Sequence, residues 1–250
     1  MIVCDERNPR ARGLLRELRQ RLPEEWTPPD DIVLVIGGDG FLLHTIAERG
    51  FDRPFLGLNA GNLGFLLNDA SDPDSVASQL ADAKWRILEF PLVEARITKA
   101  DGTEIVERAV NDVYLERMTG QAARLRLVID GHEVVEQLVA DGIVFATALG
   151  STAYAYSAGG QPLHPLLQVL QVTPICPHRP RLPSVGLPAT ARAEVEVLQH
   201  DFRRVRAVAD GRAVEDVKRV SIRLVIPGVR LAYLEQHDFT GQMLWKIVHP

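Results

Sequence analysis

Lysine and cysteine are scarce in this chain, and their scarcity excludes several kinds of chemistry. Lys84, Lys99, Lys218 and Lys246 are the four lysines, and none lies in a glycine-rich loop. No GxxxxGK[ST] occurs, which excludes a P-loop and leaves backbone N–H groups, arginine or a metal to hold any phosphate. No GxGxxG follows the first apolar run, so the standard Rossmann fingerprint is missing too. The two cysteines, Cys4 and Cys176, give neither a disulfide framework nor zinc-ligand spacing, and they fit a reducing, cytoplasmic compartment. No stretch approaches the roughly 18 apolar residues of a membrane span, and the N-terminus lacks a signal-peptide pattern, so no membrane partner is expected. A net charge of −5 offers no basic field for nucleic acid. The six arginines within residues 7–21 read as a solvated helix face beside Asp5, Glu6 and Glu17.

At 250 residues, 46% of them apolar, the chain is long enough for one or two domains with a sizeable core. Its first part alternates in type. Ile2-Val3-Cys4 reads as a strand, and Leu14, Leu15, Leu18 and Leu22 mark one helix face. Ile32–Ile36 reads as a buried strand, Leu42, Leu43, Ile46 and Ala47 as a helix opening just past the glycines, and Pro54–Leu58 as another strand. Asp72 or Asp74 suits the cap of a helix ending near Ala83. Such alternation predicts an α/β domain, a parallel sheet with flanking helices, over residues 1–91. From Leu92 the period becomes two, with Asp101-Gly102, Asp130-Gly131 and Asp210-Gly211 placed as hairpin turns. Residues 92–235 are therefore expected to form an all-β domain of antiparallel sheets. Prolines 174, 177, 180, 183 and 188 read as breaks in a long connection between residues 161 and 190. The tail, 236–250, carries a short amphipathic helix at Thr240–Ile247 and is expected to return to the first domain.

Four segments carry candidate chemistry. Gly37-Gly38-Asp39-Gly40 puts one carboxylate on a turn where backbone can approach a phosphate, and Asp39 can act there as a base or steer a metal. Gly57–Phe65 follows another predicted parallel strand, so both loops fall at the sheet edge where ligands bind, and Asn59 and Asn62 add amide groups. Asn111-Asp112 offers an amide beside a carboxylate, suited to a ribose diol or adenine edge, although such a pair is most often a turn. Asp141-Gly142 leads through a strand to Gly150–Gly160, where Ser151 or Thr152 suits a helix N-cap and Tyr154 and Ser157 share a face. His44 stands on the helix after the first turn, as a phosphate or ribose donor or as a surface residue. The histidines show no metal-ligand spacing.

Together these strings, in this order and spacing over residues 31–235, resemble the NAD kinase family. The Gly-Asn-Leu-Gly-Phe and Gly-Ser-Thr-Ala-Tyr strings are its more specific marks, since lipid and phosphofructokinase-like kinases share the Gly-Gly-Asp-Gly turn. The resemblance implies phosphoryl transfer from ATP to the adenosine 2′-hydroxyl of NAD, giving NADP, in an active site intervening between two domains of a homodimer or homotetramer. It implies Asp39 as the base, and Asp39, Gly40, His44, Asn111, Asp112, Asp141, Thr152, Ala153, Tyr154, Ala155, Tyr156 and Ser157 as NAD contacts. No metal-ligand set is implied, and Mg²⁺ is expected through the ATP phosphates. The chain departs from the family pattern at Phe41, at Asp112 in place of Glu, at Ala148-Leu149 in place of Pro-Thr, and at Arg212 in place of Gln. Those departures leave open the donor, ATP or another nucleotide or polyphosphate. They also leave two other readings, an NAD-binding regulator impaired in catalysis and a lipid or sugar kinase sharing only the first turn.

Overall fold

The computed structural model describes residues 1–29, 31–61 and 64–248, apart from the side chain of Lys246. The chain divides into two compact units, Met1–Phe90 with Gly228–Pro250, and Pro91–Pro227.

The first unit opens with β1 (Ile2–Cys4), α1 (Pro9–Arg21), β2 (Val33–Gly37), α2 (Asp39–Arg49), β3 (Phe55–Asn59) and α3 (Pro73–Ala81). β2 pairs in parallel with β1 on one side and β3 on the other. Every residue of β2 is buried, as a central parallel strand requires. Ala11, Leu14 and Leu18 of α1 and Val76, Ala77 and Leu80 of α3 share a core with Leu34, Ile36, Leu56 and Leu58. The side chains of Asn8 and Asp72 cap these helices, each accepting two backbone N–H groups, with a proline next in sequence. α2 starts earlier than expected. Asp39 is its first residue and Gly38 its N-cap, a place where an acidic side chain is favoured by the exposed N–H groups.

β4 (Trp85–Lys99) leads into the second unit. There follow β5 (Glu104–Ala109), β6 (Asp112–Arg117), β7 (Ala123–Ile129), β8 (His132–Ala140) and β9 (Gly142–Ala146). A 3₁₀ turn at Gly150–Thr152 and the single helical turn α4 (Tyr154–Ser157) come next, then β10 (Val169–Ile175), β11 (Val185–Pro188), β12 (Arg192–Val197), β13 (Val205–Ala209) and β14 (Arg212–Val214). β15 (Val217–Leu234) returns the chain to the first unit, where Leu231 pairs in parallel with Phe55 of β3, and α5 (Phe239–Val248) follows.

Within the second unit the pairs β4–β5, β6–β9, β6–β13, β7–β8, β7–β12, β9–β10, β10–β11, β12–β15 and β13–β14 are antiparallel. One sheet has the order β11-β10-β9-β6-β13-β14, and the other joins β8, β7, β12 and β15, with β4 beside β15 and β5 beside β4. Alternate residues of the two sheets, among them Val93, Leu115, Leu125, Phe145, Val172, Val195 and Ile222, form one core, the arrangement of a β-sandwich. At two of the three Asp-Gly hairpins both residues have positive φ, Asp130 at 49° with Gly131 at 78° and Asp210 at 42° with Gly211 at 84°, as two-residue hairpin turns demand. The proline-rich stretch 161–190 is no plain connection, for it contains β10 and β11. Val169, Val172 and Thr173 are β-branched and pair within the sheet, while Pro177, Pro180 and Pro183 fall in the link between the two strands. Among the described residues no helix is long and apolar enough to cross a membrane.

Candidate functional site

In the first unit, the Gly37–Gly40 turn joins β2 to α2. A Cβ on Gly37 would stand 2.7 Å from Cδ1 of Phe41, so glycine there is what lets the Phe41 ring pack under the turn. The Asp39 carboxylate accepts N–H bonds from Phe65 to Oδ2 (2.6 Å) and from Leu66 to Oδ1 (3.1 Å). The loop after β3 therefore grips Asp39 through main chain. That loop is itself fixed by the buried Asn68, which donates to Gly57 O and Ala232 O and accepts from the Leu234 N–H. Asn59 Oδ1 accepts the Gly61 N–H at 2.8 Å, while Asn62 and Leu63 lie outside the described residues. Gly40 is exposed, and so is His44, whose Nε2 sits 3.1 Å from Glu48 Oε1 one turn along α2. Tyr233, on the last part of β15, is fully buried against Phe90, His237 and Phe239, and its phenol is pushed well up by burial, with the charge of Asp39 adding to the effect.

In the second unit, Asn111-Asp112 is held from two sides. The Asp210 carboxylate accepts the N–H groups of Val110 (2.6 Å), Asn111 (3.0 Å) and Asp112 (3.4 Å). From the other side, Thr147 Oγ1 donates to Val110 O (2.7 Å) and Thr147 N–H to Asn111 O (2.9 Å). A Cβ on Gly150 would lie 2.0 Å from Asn111 O, so the 147–150 segment packs directly on the Asn111 backbone. Asn111 Oδ1 is buried without a hydrogen-bond partner among the described residues. Asp112 is 5% exposed. Burial pushes its carboxyl up to about 7, and the neighbouring Asp210 charge contributes further. Burial also raises Asp210, against the lowering effect of its N–H donors.

Asp141, between β8 and β9, forms an ion pair with Arg117, whose Nε is 2.5 Å from Oδ1. Tyr154 meets Tyr114 edge to face, with ring centroids 4.8 Å apart. Its phenol is raised by burial first, then by the charges of Glu116, Cys176, Asp112 and Asp141. The structure thus brings Asp112 and Asp141 within electrostatic reach of Tyr154. Ala155 is buried, Thr152 and Ala153 are half-buried, and Tyr156 and Ser157 are exposed.

Ser151 and Thr152 do not cap a helix as expected. α4 is a single turn whose N-cap is Ala153, without a side-chain bond. Ser151 Oγ instead donates to Ala148 O and accepts the Leu163 N–H, both local ties. Arg212 is occupied as well, by Glu107 and by Arg108 O. Sequence reasoning placed Asp210 in a hairpin and passed over Arg117. Their partners, about 100 and 24 residues distant respectively, leave no local signal.

Among the described residues no group of three or more His, Cys, Asp or Glu side chains is placed to hold a metal ion. Residues 110–234 match the ATP-NAD kinase C-terminal domain. Over 226 residues the chain is 41% identical to the NAD kinase of Cereibacter sphaeroides (strain ATCC 17029 / ATH 2.4.9), covering 89% of this chain and 87% of that one. It is 36% identical over 219 residues to the NAD kinase of Hyphomonas neptunium, covering 86% and 84%. The yeast NADH kinase, solved in complex with NADH, superposes with a TM-score of 0.77 at 25% identity, over 88% of this chain and 66% of that one. An NAD kinase from Archaeoglobus fulgidus, solved in complex with ATP, shares the fold with a TM-score of 0.72 at 22% identity, over 97% and 96%. By these matches the chain belongs to the NAD kinase family, and is a phosphotransferase of that family.

Proposed function

We propose that this chain phosphorylates the adenosine 2′-hydroxyl of NAD to give NADP, with Mg²⁺-ATP as donor and Asp39 as the base. The observation that carries the reading is the Asp39 carboxylate, set at the first residue of α2 and oriented by the Phe65 and Leu66 N–H groups. Phosphoryl transfer asks little covalent chemistry of the protein and depends mainly on alignment and charge neutralisation. A carboxylate fixed by two main-chain bonds suits that task, since it can orient a hydroxyl and take its proton as the new bond forms. The metal belongs to the substrate. Mg²⁺ commonly keeps several waters and binds through nucleotide phosphates with few protein carboxylates. Asn111, Asp112, Asp141 and the Thr152–Ser157 segment are assigned to binding NAD, with carboxylates and hydroxyls accepting from and donating to ribose and base.

The deciding assay supplies NAD with Mg²⁺-ATP and measures NADP, in parallel with other nucleoside triphosphates and with polyphosphate. NADP above the no-enzyme control with ATP is expected. Folded protein that binds NAD and forms no NADP from any donor would establish the impaired regulator instead.

A further inference from the structure

Arg117 lies outside every string that the family resemblance singles out, yet it makes close contact with Asp141. Its Nε donates to Asp141 Oδ1 at 2.5 Å and its Nη2 reaches Oδ2 at 3.5 Å. Its remaining arm, Nη1, donates to Thr119 O at 2.6 Å, so the guanidinium is anchored at both ends. This side-chain pair is not what keeps the strands in register. The backbone already does so: the Arg117 N–H bonds to Asp141 O and the Asp141 N–H to Ile175 O, both at 2.9 Å. What the guanidinium adds is the orientation of one carboxylate that is about a third exposed.

An aspartate at such a corner has several rotamers open to it, and each presents its oxygens differently. A two-pronged arginine contact selects one of them. It occupies one side of the carboxylate and leaves lone pairs for an outside donor. It also offsets a negative charge in a region where Tyr154 feels Glu116 and Asp112 as well. Glu116 has its own arginine, Arg206, at 2.5 Å, whereas the Asp112 side chain has no hydrogen-bond partner among the described residues. Without Arg117, an incoming dinucleotide, itself anionic at the pyrophosphate, would meet a mobile and uncompensated carboxylate.

We propose that Arg117 is a positioning residue for NAD binding, acting through Asp141 by holding its carboxylate in one rotamer. This rests on the assignment of Asp141 to NAD made above. The test is a double-mutant cycle on the full chain, reading KM and kcat for NAD, KM for ATP, and NAD affinity by calorimetry. R117A is expected to raise KM for NAD about tenfold, with kcat within about twofold and KM for ATP unchanged. R117K, which keeps the charge and loses the fork, is expected to recover part of that loss. D141N is expected to weaken NAD at least as much, and adding R117A to D141N is expected to weaken it no further, because the arginine acts only through the aspartate.

Additive losses, or a KM for NAD in R117A equal to that of wild type, would overturn the role of Arg117 while leaving the kinase reading intact. A fall in melting temperature with KM for NAD unmoved would likewise assign the pair to stability alone. Wild-type protein that makes no NADP and binds no NAD would overturn the kinase reading first and this inference with it. The same holds if D141N binds NAD as wild type does, since Arg117 would then have nothing to act through.

Discussion

Asp39 is the base in the reaction proposed above, and its surroundings say how a substitution should behave. Asn at position 39 keeps an oxygen for one of the two loop N–H groups and loses the charge. D39N is expected to lower kcat by about 10²–10⁴-fold, the usual contribution of a positioned base, with NAD affinity within about threefold. A variant retaining near-wild-type turnover would remove Asp39 from that role. Asp112 makes a different prediction, about pH. Its carboxyl titrates at about 7 in the folded chain, against about 3.9 for a free aspartate. The fold therefore favours the protonated acid. That contribution is complete below about pH 4 and is lost as pH rises through about 7. D112N, neutral throughout, is expected to be more stable than wild type at pH 8, by an amount on the order of 1–4 kcal/mol, and about equal to it at pH 4. Thermal melts of both proteins at the two pH values check this, and a difference independent of pH would show that Asp112 titrates normally.

Among the elements, the loop from Thr147 to Thr152 is tightly constrained, because Gly150 rests on the Asn111 backbone rather than on a side chain that can move. A Cβ at that position would meet Asn111 O at 2.0 Å and its carbonyl carbon at 2.4 Å. G150A is expected to cost about 2–4 kcal/mol in a denaturant titration. Gly13 provides the contrast. It lies inside α1, where an added methyl would have nothing within 4 Å, and G13A is expected to stabilise by about 0.5–1 kcal/mol. These elements were unequally legible in the sequence. β2, the Asp72 cap and the Asp-Gly hairpins were readable because each depends on a few adjacent residues. β10 was not, since its short β-branched run sits among prolines whose usual effect is to end strands. The length of α4 was also hidden, because a serine and a threonine beside a helical string look the same whether they cap a helix or tie down a loop. In the candidate site the glycine strings and Asn111-Asp112 stood out as strings. Asp210, which holds the Asn111-Asp112 backbone, and Arg117, which holds Asp141, did not, because strand pairing in three dimensions brings them there.

For the molecule as a whole, the controlling fact is that the first unit is assembled from both ends of the chain. Val229, Leu231, Ala232, Tyr233 and Leu234 are buried in it, and Leu231 pairs with Phe55. A chain ending at Pro227 is therefore expected to lose protection of residues 1–90 while the second unit keeps a protease-resistant core. Limited proteolysis with mass mapping distinguishes the outcomes, and continued protection of residues 1–90 would show that β15 is dispensable there. The same assembly governs events during synthesis. Residues 1–90 leave the ribosome first, yet the strand beside β3 emerges roughly 140 residues later. At about 5–20 residues per second, the apolar strands β2 and β3 wait on the order of ten seconds before their last partner arrives. The second unit is synthesised in that interval, and its own last strand, the first part of β15, emerges only at the end of it. The nascent N-terminal segment thus carries apolar strands that wait longest for a distant partner, the situation in which a chaperone is useful.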